Sequence, residues 1–279
     1  AASPAHPNLR LPERVRQLLV QIADVVPKSY VHFQEYFAGV AMWTECVRQL
    51  GLLIGYPMDI HTGFDFLSQH HFDLLMQRFF EMLPLVLGVA FPCTVWSSMQ
   101  NRTKRSPEQK VKFEARRNIY RRFLSDMLPV FERQTADGRF IIVEGPINSA
   151  MWLQPEWLLL VQAANLRKIR VDQCMFGCQY EKGTAIWTNL PVVATLHLER
   201  RCNHEEKHPR LEGQGPDGLP LTFWSSAYPD KMNMALAHAV SNAVPSRRQS
   251  FCKWMKIFSD NFKPVRVIDA EYIKWNGDC

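Results

Sequence analysis

The stretch Leu85-Val86-Leu87-Gly88-Val89-Ala90-Phe91-Pro92-Cys93-Thr94-Val95-Trp96-Ser97 decides how the chain is read. Its apolar run is short and bounded by Pro84 and Pro92, which suits a buried strand better than a helix. Pro92 lacks a backbone N–H and fixes φ, so a sheet ladder stops there. Cys93 then falls just past the carboxyl end of a strand, where open α/β sheets hold their ligands. A thiol in that place is either a nucleophile or a cysteine packing as a small hydrophobe.

On either side the same alternation repeats. Tyr30 to Phe33 reads as a strand, Glu35 to Ala41 as a glycine-containing turn, and Met42 to Leu50 as a helix closed by Gly51. Such a turn presents backbone N–H groups and a helix N-terminus to a ligand; a plain helix entry reads the same way. Leu52 to Tyr56 is a second apolar run and leads to Asp59. An acid there either takes a ribose diol or is a solvated turn residue. Phe64 to Phe80 reads as a helix. Arg139 to Val143 is a further strand entering Glu144-Gly145-Pro146, followed by a helix from Pro155 to Ala164 and a strand from Lys168 to Asp172. Alternating strands and helices predict a mainly parallel sheet with helices on both faces.

The chain of 279 residues carries 33 Lys and Arg against 27 Asp and Glu, a net charge of +6. That balance suits a polyanionic partner. Basic residues concentrate between Arg102 and Arg122. Arg102, Lys104 and Arg105 lie on a predicted loop, and a helix is expected from Pro107 to about Arg133. The run reads either as a phosphate contact or as a solvated helix face. No apolar run has membrane-spanning length, and Ala1 to Pro12 carries no apolar signal core. Seven irregularly spaced cysteines argue against a disulfide scaffold and for an intracellular, reducing compartment.

From Gln173 to Leu221 the composition shifts to Gly, Pro, Cys and His. Cys174 and Cys178, then Cys202, His204 and His208, supply thiolate and imidazole groups suited to tetrahedral zinc. Scattered cysteines and surface histidines are the other reading. Ala185 to Trp187 and Val192 to Leu198 look strand-like. A helix is expected from Tyr228-Pro229-Asp230 to Val244, an N-terminal helix over Leu11 to Val26, and a strand over Val265 to Ile268. The expected organisation is an N-terminal helix (1–28), a main α/β domain (29–173 and 224–245), a small Cys/His-rich insert (174–223) and a basic extension (246–279).

Four motifs together resemble the cytosine-5 methyltransferase family of S-adenosylmethionine enzymes. Glu35-Tyr36-Phe37-Ala38-Gly39 is similar to the F-x-G-x-G cofactor turn, with Ala41 in place of the last glycine. Phe91-Pro92-Cys93-Thr94-Val95-Trp96-Ser97 resembles the P-C-x-x-[FW]-S nucleophile loop. Val143-Glu144-Gly145-Pro146 stands at the E-N-V position, keeping the Glu and losing the Asn. Tyr228-Pro229 and the Ala-rich helix after it resemble the last motif. The chain lacks the family's Gln-x-Arg-x-Arg strand; Asp172-Gln173-Cys174-Met175-Phe176-Gly177 stands there instead. That segment, with Thr188-Asn189-Leu190-Pro191 and the Cys-His-His tail, also resembles methyltransferase-like domains of eukaryotic retroelements.

The resemblance implies a Rossmann-like methyltransferase sheet and S-adenosylmethionine as cofactor. Phe37, Ala38, Gly39 and Asp59 would bind that cofactor. Cys93 would be the covalent nucleophile and Glu144 its acid partner, acting on a flipped base of DNA, or of RNA. Arg102, Lys104 and Arg105 would hold phosphates. A DNA substrate would imply a nuclear location. Two other readings stay open: a methyltransferase-fold nucleic-acid-binding module without catalysis, and a zinc-stabilised interaction domain.

Overall fold

A computed structural model describes residues 31–97, 100, 103–209, 211, 213, 214, 218 and 227–244. The expected N-terminal helix, the basic C-terminal extension with its strand, and Arg102 lie outside the described residues.

Five strands form one open sheet. They are β1 (Phe33–Tyr36), β2 (Val86–Val89), β3 (Phe140–Pro146), β4 (Arg167–Asp172) and β5 (Gly183–Thr188). Their order is β1-β2-β3-β5-β4. β1 pairs in parallel with β2, and β2 with β3. β5 runs antiparallel between β3 and β4. The expectation of a mainly parallel sheet therefore holds for three strands and is corrected for β5. This strand comes from within the stretch 174–223 and belongs to the central sheet.

The helices are α1 (Met42–Gln49), α2 (Gln69–Met82), α3 (Pro107–Asp126), α4 (Leu128–Ala136), α5 (Pro155–Ala163), α6 (Val192–Thr195) and α7 (Asp230–Ala243). Alternate strand residues feed two separate cores, as the period of two in a strand requires. Leu87, Val89, Ile141 and Val143 pack with Leu75 and Phe79 of α2, Leu124 of α3, Phe131 of α4 and Trp157 of α5. Phe33, Val86, Ile142 and Ile186 pack with Trp43 and Val47 of α1 and Met232, Leu236 and Val240 of α7. The molecule is thus a mixed α/β sandwich, with helices over both faces of the sheet.

Several boundaries differ from expectation for local reasons. Leu52 to Tyr56 forms no strand; only the parallel bridges Phe33–Ile54 and Tyr36–Met58 remain. Pro57 supplies no donor, and the Gln34 side chain takes the Tyr56 carbonyl at 2.6 Å. Gly55 sits where a Cβ would overlap the Gln34 amide, so that crossing needs glycine. The single helix expected from Pro107 to Arg133 breaks at Met127, because Pro129 starts α4. Val192 to Leu198 is helical rather than extended: α6 and a 3-10 turn over Leu196–Leu198 follow Pro191, and α6 packs on α7. β1 starts three residues later than expected, which brings Glu35 and Tyr36 into the strand.

Candidate functional site

The turn after β1 is bent by a run of left-handed residues. Phe37, Gly39 and Ala41 have φ of 58°, 52° and 55°. The region favours glycine, and a bulky residue there is strained. Phe37 is held in it by ring packing on Phe66 at 4.7 Å, Phe123 at 5.3 Å and Phe91 at 5.7 Å. Ala41 then caps α1. Asp59 follows the second bridge beside β1. Its Oδ2 accepts the Gly39 N–H at 3.0 Å and its Oδ1 accepts the His61 N–H at 2.9 Å. The sequence thus brings Phe37, Ala38, Gly39 and Asp59 together, with Asp59 fastening the turn. Beyond Gly39 the space is open, since a Cβ there would meet nothing within 4 Å.

Glu35 was not expected to titrate in this corner. Its buried carboxylate accepts from the Thr44 N–H at 3.0 Å and the Thr44 hydroxyl at 2.5 Å, at the first turn of α1. Burial pushes its pKa up to about 8; the Thr44 bonds oppose that shift and the Asp59 charge adds to it.

Cys93 lies four residues past β2 and heads a 3-10 turn, Thr94–Trp96, whose Trp96 N–H returns to the Cys93 carbonyl at 2.9 Å. Val95 and Trp96 are fully buried and anchor the turn, while Cys93 itself is exposed. The neighbouring β3 carries Glu144, which is buried. Strand register pairs Glu144 with Ile186 of β5, and Lys182 lies just before β5. Tyr228, two residues before α7, donates a hydrogen bond to the Glu144 carboxyl.

The electrostatics join these groups into one site. Desolvation raises the Glu144 pKa, and Lys182 and the Tyr228 hydroxyl pull it back part of the way. Desolvation and then the Glu144 charge raise the Cys93 thiol, again opposed by Lys182. Burial and the Glu144 charge hold the Tyr228 phenol well above its usual range. A thiol just past β2, a carboxyl near the carboxyl end of β3 that is biased toward its protonated form, a phenol and an ammonium therefore act on one another. Sequence reading found the thiol and the carboxyl. It missed Lys182, one charge in a Glu-Lys-Gly turn, and used Tyr228 as the start of a helix and part of the last motif, with no role for its hydroxyl.

A second cluster sits past β4. Cys174 lies on the 3-10 turn Gln173–Phe176, and Cys202, His204 and His208 come from the irregular chain after α6. Their four donor atoms all lie within 4.8 Å of one another. Cys202 Sγ is 3.4 Å from His204 Nδ1 and 3.2 Å from His208 Nε2. Tetrahedral bonds of zinc length would put donors roughly 3.3–3.8 Å apart, so the spacing fits. The hydrogen bonds around the cluster fit as well. His208 Nδ1 bonds the Gln179 carbonyl at 2.9 Å, which leaves Nε2 for a metal. The buried Asp172 accepts the Cys202 N–H at 2.8 Å. Hydrogen bonds from His204 and His208 lower the Cys202 thiol pKa. This group can hold a metal ion. Cys178, expected as a fifth ligand, is not in it: Gly177, at φ of 100°, turns the chain between the two cysteines.

Lys104 and Arg105 precede α3 on the loop that leaves the Cys93 turn. Arg105 Nη1 donates to the Gln100 carbonyl at 2.5 Å, and its guanidinium lies 3.9 Å from the Phe113 ring centre. No helix among the described residues is long and apolar enough to cross a membrane. The chain matches no protein-family model and no curated protein.

Proposed function

We propose that this chain is an S-adenosylmethionine-dependent methyltransferase acting at carbon 5 of cytosine in nucleic acid, with DNA favoured. The observation that carries the reading is the placement of Cys93 just past β2 and of Glu144 near the carboxyl end of the adjacent parallel strand β3, close enough for its charge to act on the thiol, one strand over from a left-handed glycine turn. That edge of a parallel sheet is where such folds take their ligands. The topology, in which β1, β2 and β3 run parallel, supports a Rossmann-like reading of this half of the sheet.

The open space beside Gly39 and the left-handed backbone from Phe37 to Ala41 fit a cofactor approaching main chain, with Phe37, Ala38 and Gly39 at its methionine end and Asp59 at its ribose. S-adenosylmethionine, when bound, supplies an electrophilic methyl group. The residues of the chain do the rest. Cys93, as thiolate, adds to carbon 6 of the ring and makes carbon 5 nucleophilic. Glu144, whose burial biases its carboxyl toward the protonated form, donates to the ring nitrogen and offsets the charge that develops there. Tyr228 holds the Glu144 carboxyl in place. Loss of the carbon-5 proton to solvent then expels the Cys93 thiolate, and return of the ring-nitrogen proton to Glu144 restores the neutral ring. The target base must leave a duplex to reach Cys93. Lys104 and Arg105 hold backbone phosphates, which gives salt-dependent affinity without sequence choice. The Cys174, Cys202, His204 and His208 group takes zinc in a structural role, since two thiolates and two imidazoles fill a tetrahedral shell and leave no open position.

The test is transfer of labelled methyl from S-adenosylmethionine to cytosine-containing DNA and RNA. Cys93→Ser should abolish transfer and leave calorimetric cofactor binding intact, while Gly39→Trp, which fills the open space, should remove cofactor binding. Undiminished transfer by Cys93→Ser would overturn the covalent mechanism.

Two observations favour the second reading, a binding module of this fold without catalysis. The Cys93 thiol is pushed up rather than down, and both Asp59 oxygens already hold the turn. That reading expects nucleic-acid binding, no methylation and no cofactor affinity.

A further inference from the structure

We infer that a groove between the 103–105 loop and the first three turns of α3 is a nucleotide-sized seat for the backbone of a nucleic-acid strand leading away from Cys93. The inference deepens the nucleic-acid part of the reading above and rests on it for the class of partner, not for catalysis.

The groove has a volume of about 420 Å³, within the range of sites that hold small ligands. Its walls carry Lys104, Arg105, Lys112 and Arg116, together with Phe113, and no acidic side chain. Lys104, Lys112 and Arg116 are exposed, so their charges are available to an incoming anion. Lys112 is paired with Glu108 at 2.7 Å, but both side chains are about three-quarters exposed (75% and 77%) and such a pair is easily exchanged for a phosphate.

The remaining cations are organised by aromatic rings. Arg105 lies 3.9 Å and Arg117 4.5 Å from the centre of Phe113. Arg117 and Arg121 also flank Trp96, at 5.5 and 5.7 Å. Hydrogen bonds fix these three guanidiniums, Arg105 to Gln100, Arg117 to the Val95 carbonyl and Glu114, and Arg121 to Gln154, Asn118 and Glu114. They therefore line the approach as placed charges partly offset by Glu114, and the exposed Lys104, Lys112 and Arg116 supply the charge an anion meets. Trp96 is three residues from Cys93, so the cationic row begins at the thiol turn and ends in the groove. A solvated helix face would not need that continuity. An acidic peptide would meet the same charges. The ring-backed row and the nucleotide-scale volume favour a strand of regularly spaced phosphates with bases able to stack.

Fluorescence anisotropy with a labelled 20-nucleotide single strand and the matching duplex, without cofactor, tests this. Lys104→Glu/Arg116→Glu should weaken binding tenfold or more and flatten the log K against log salt slope by about 2. Lys104→Gln/Arg116→Gln should show a smaller loss of the same kind and guards against a folding defect. Arg122→Glu/Arg133→Glu makes the same charge change outside the groove and should cost less than about threefold. Equal losses in the two Glu pairs would overturn the groove and leave only net charge. Displacement of the strand by poly-glutamate of equal charge at equal concentration would also overturn it, in favour of an acidic protein partner. Groove-dependent binding without methyl transfer would refute the catalytic reading alone. Methyl transfer unaffected by the groove pair would refute the groove alone.

Discussion

Arg117 of α3 donates from Nε to the Val95 carbonyl at 3.2 Å, two residues past Cys93. Its guanidinium also faces Trp96 and Phe113, and its side chain is only 15% exposed. One buried arginine therefore sets the distance between the thiol turn and the basic helix. Arg117→Ala leaves a carbonyl without its charged donor and removes two ring contacts, at a cost of about 2 kcal/mol. Thermal unfolding should register that loss. Arg117→Lys, which keeps the charge but not the planar fork, should recover less than half of it.

The metal group makes a prediction that separates four ligands from five. Purified protein should contain one zinc per chain by elemental analysis. Cys174→Ser and Cys202→Ser should each abolish it, because each removes one donor from a closed tetrahedral shell. Cys178→Ser should keep full zinc content. Chelation should lower the melting temperature of the native protein and leave that of Cys202→Ser unchanged.

Local signals were strong where proline or strict periodicity acted alone. Pro107 opens α3 over a Ser106–Gln109 capping box and Pro155 opens α5, while β2 ends at Val89, three residues ahead of Pro92. They failed where distant residues decided the outcome. The Val192-Val193 pair reads as strand, but its segment gains more by packing on α7. The antiparallel seat of β5 between β3 and β4 is a matter of pairing across the sheet, which no local pattern encodes. The site divides the same way. Cys93 was legible because it stands past a strand end, and Glu144 because it lies in the last part of a strand before its turn, although β3 runs two residues beyond it. Lys182 and Tyr228 were not, because only folding brings their segments to Glu144.

Ala41 occupies a left-handed position where the resemblance leads one to expect glycine, with φ of 55°. An L side chain there costs about 1–2 kcal/mol, and the extra freedom of an unfolded glycine returns about 0.4–1 kcal/mol. Ala41→Gly should therefore stabilise the protein by up to about 1 kcal/mol in urea unfolding. Ala38→Gly, where φ is not positive, should destabilise it.

Glu35 predicts a pH dependence. Its folded pKa, about 8, lies above the ordinary carboxyl value of 4.5, so the folded state binds the proton more tightly. The associated stability is fully present below about pH 4.5 and is lost as pH rises to about 8. Glu35→Gln keeps an acceptor for Thr44 and cannot ionise. Its melting temperature should fall less steeply than that of the native protein between pH 5 and pH 8, and parallel slopes would show that Glu35 does not titrate in this window.

The charges around Cys93 act in opposite directions and can be pulled apart. Glu144 raises its thiol pKa and Lys182 lowers it, on top of the larger rise from desolvation. Only the thiolate reacts with iodoacetamide, so the pH at half-maximal alkylation of Cys93, followed by peptide mass spectrometry, reads this balance. Lys182→Met should move that midpoint up, and Glu144→Gln should move it down. The double variant should lie between the two single ones. If Lys182→Met leaves the midpoint in place, the ammonium does not act on the thiol. Cys93 would then lack the one charge among the described residues that favours the reactive form, and the non-catalytic reading of this site would gain accordingly.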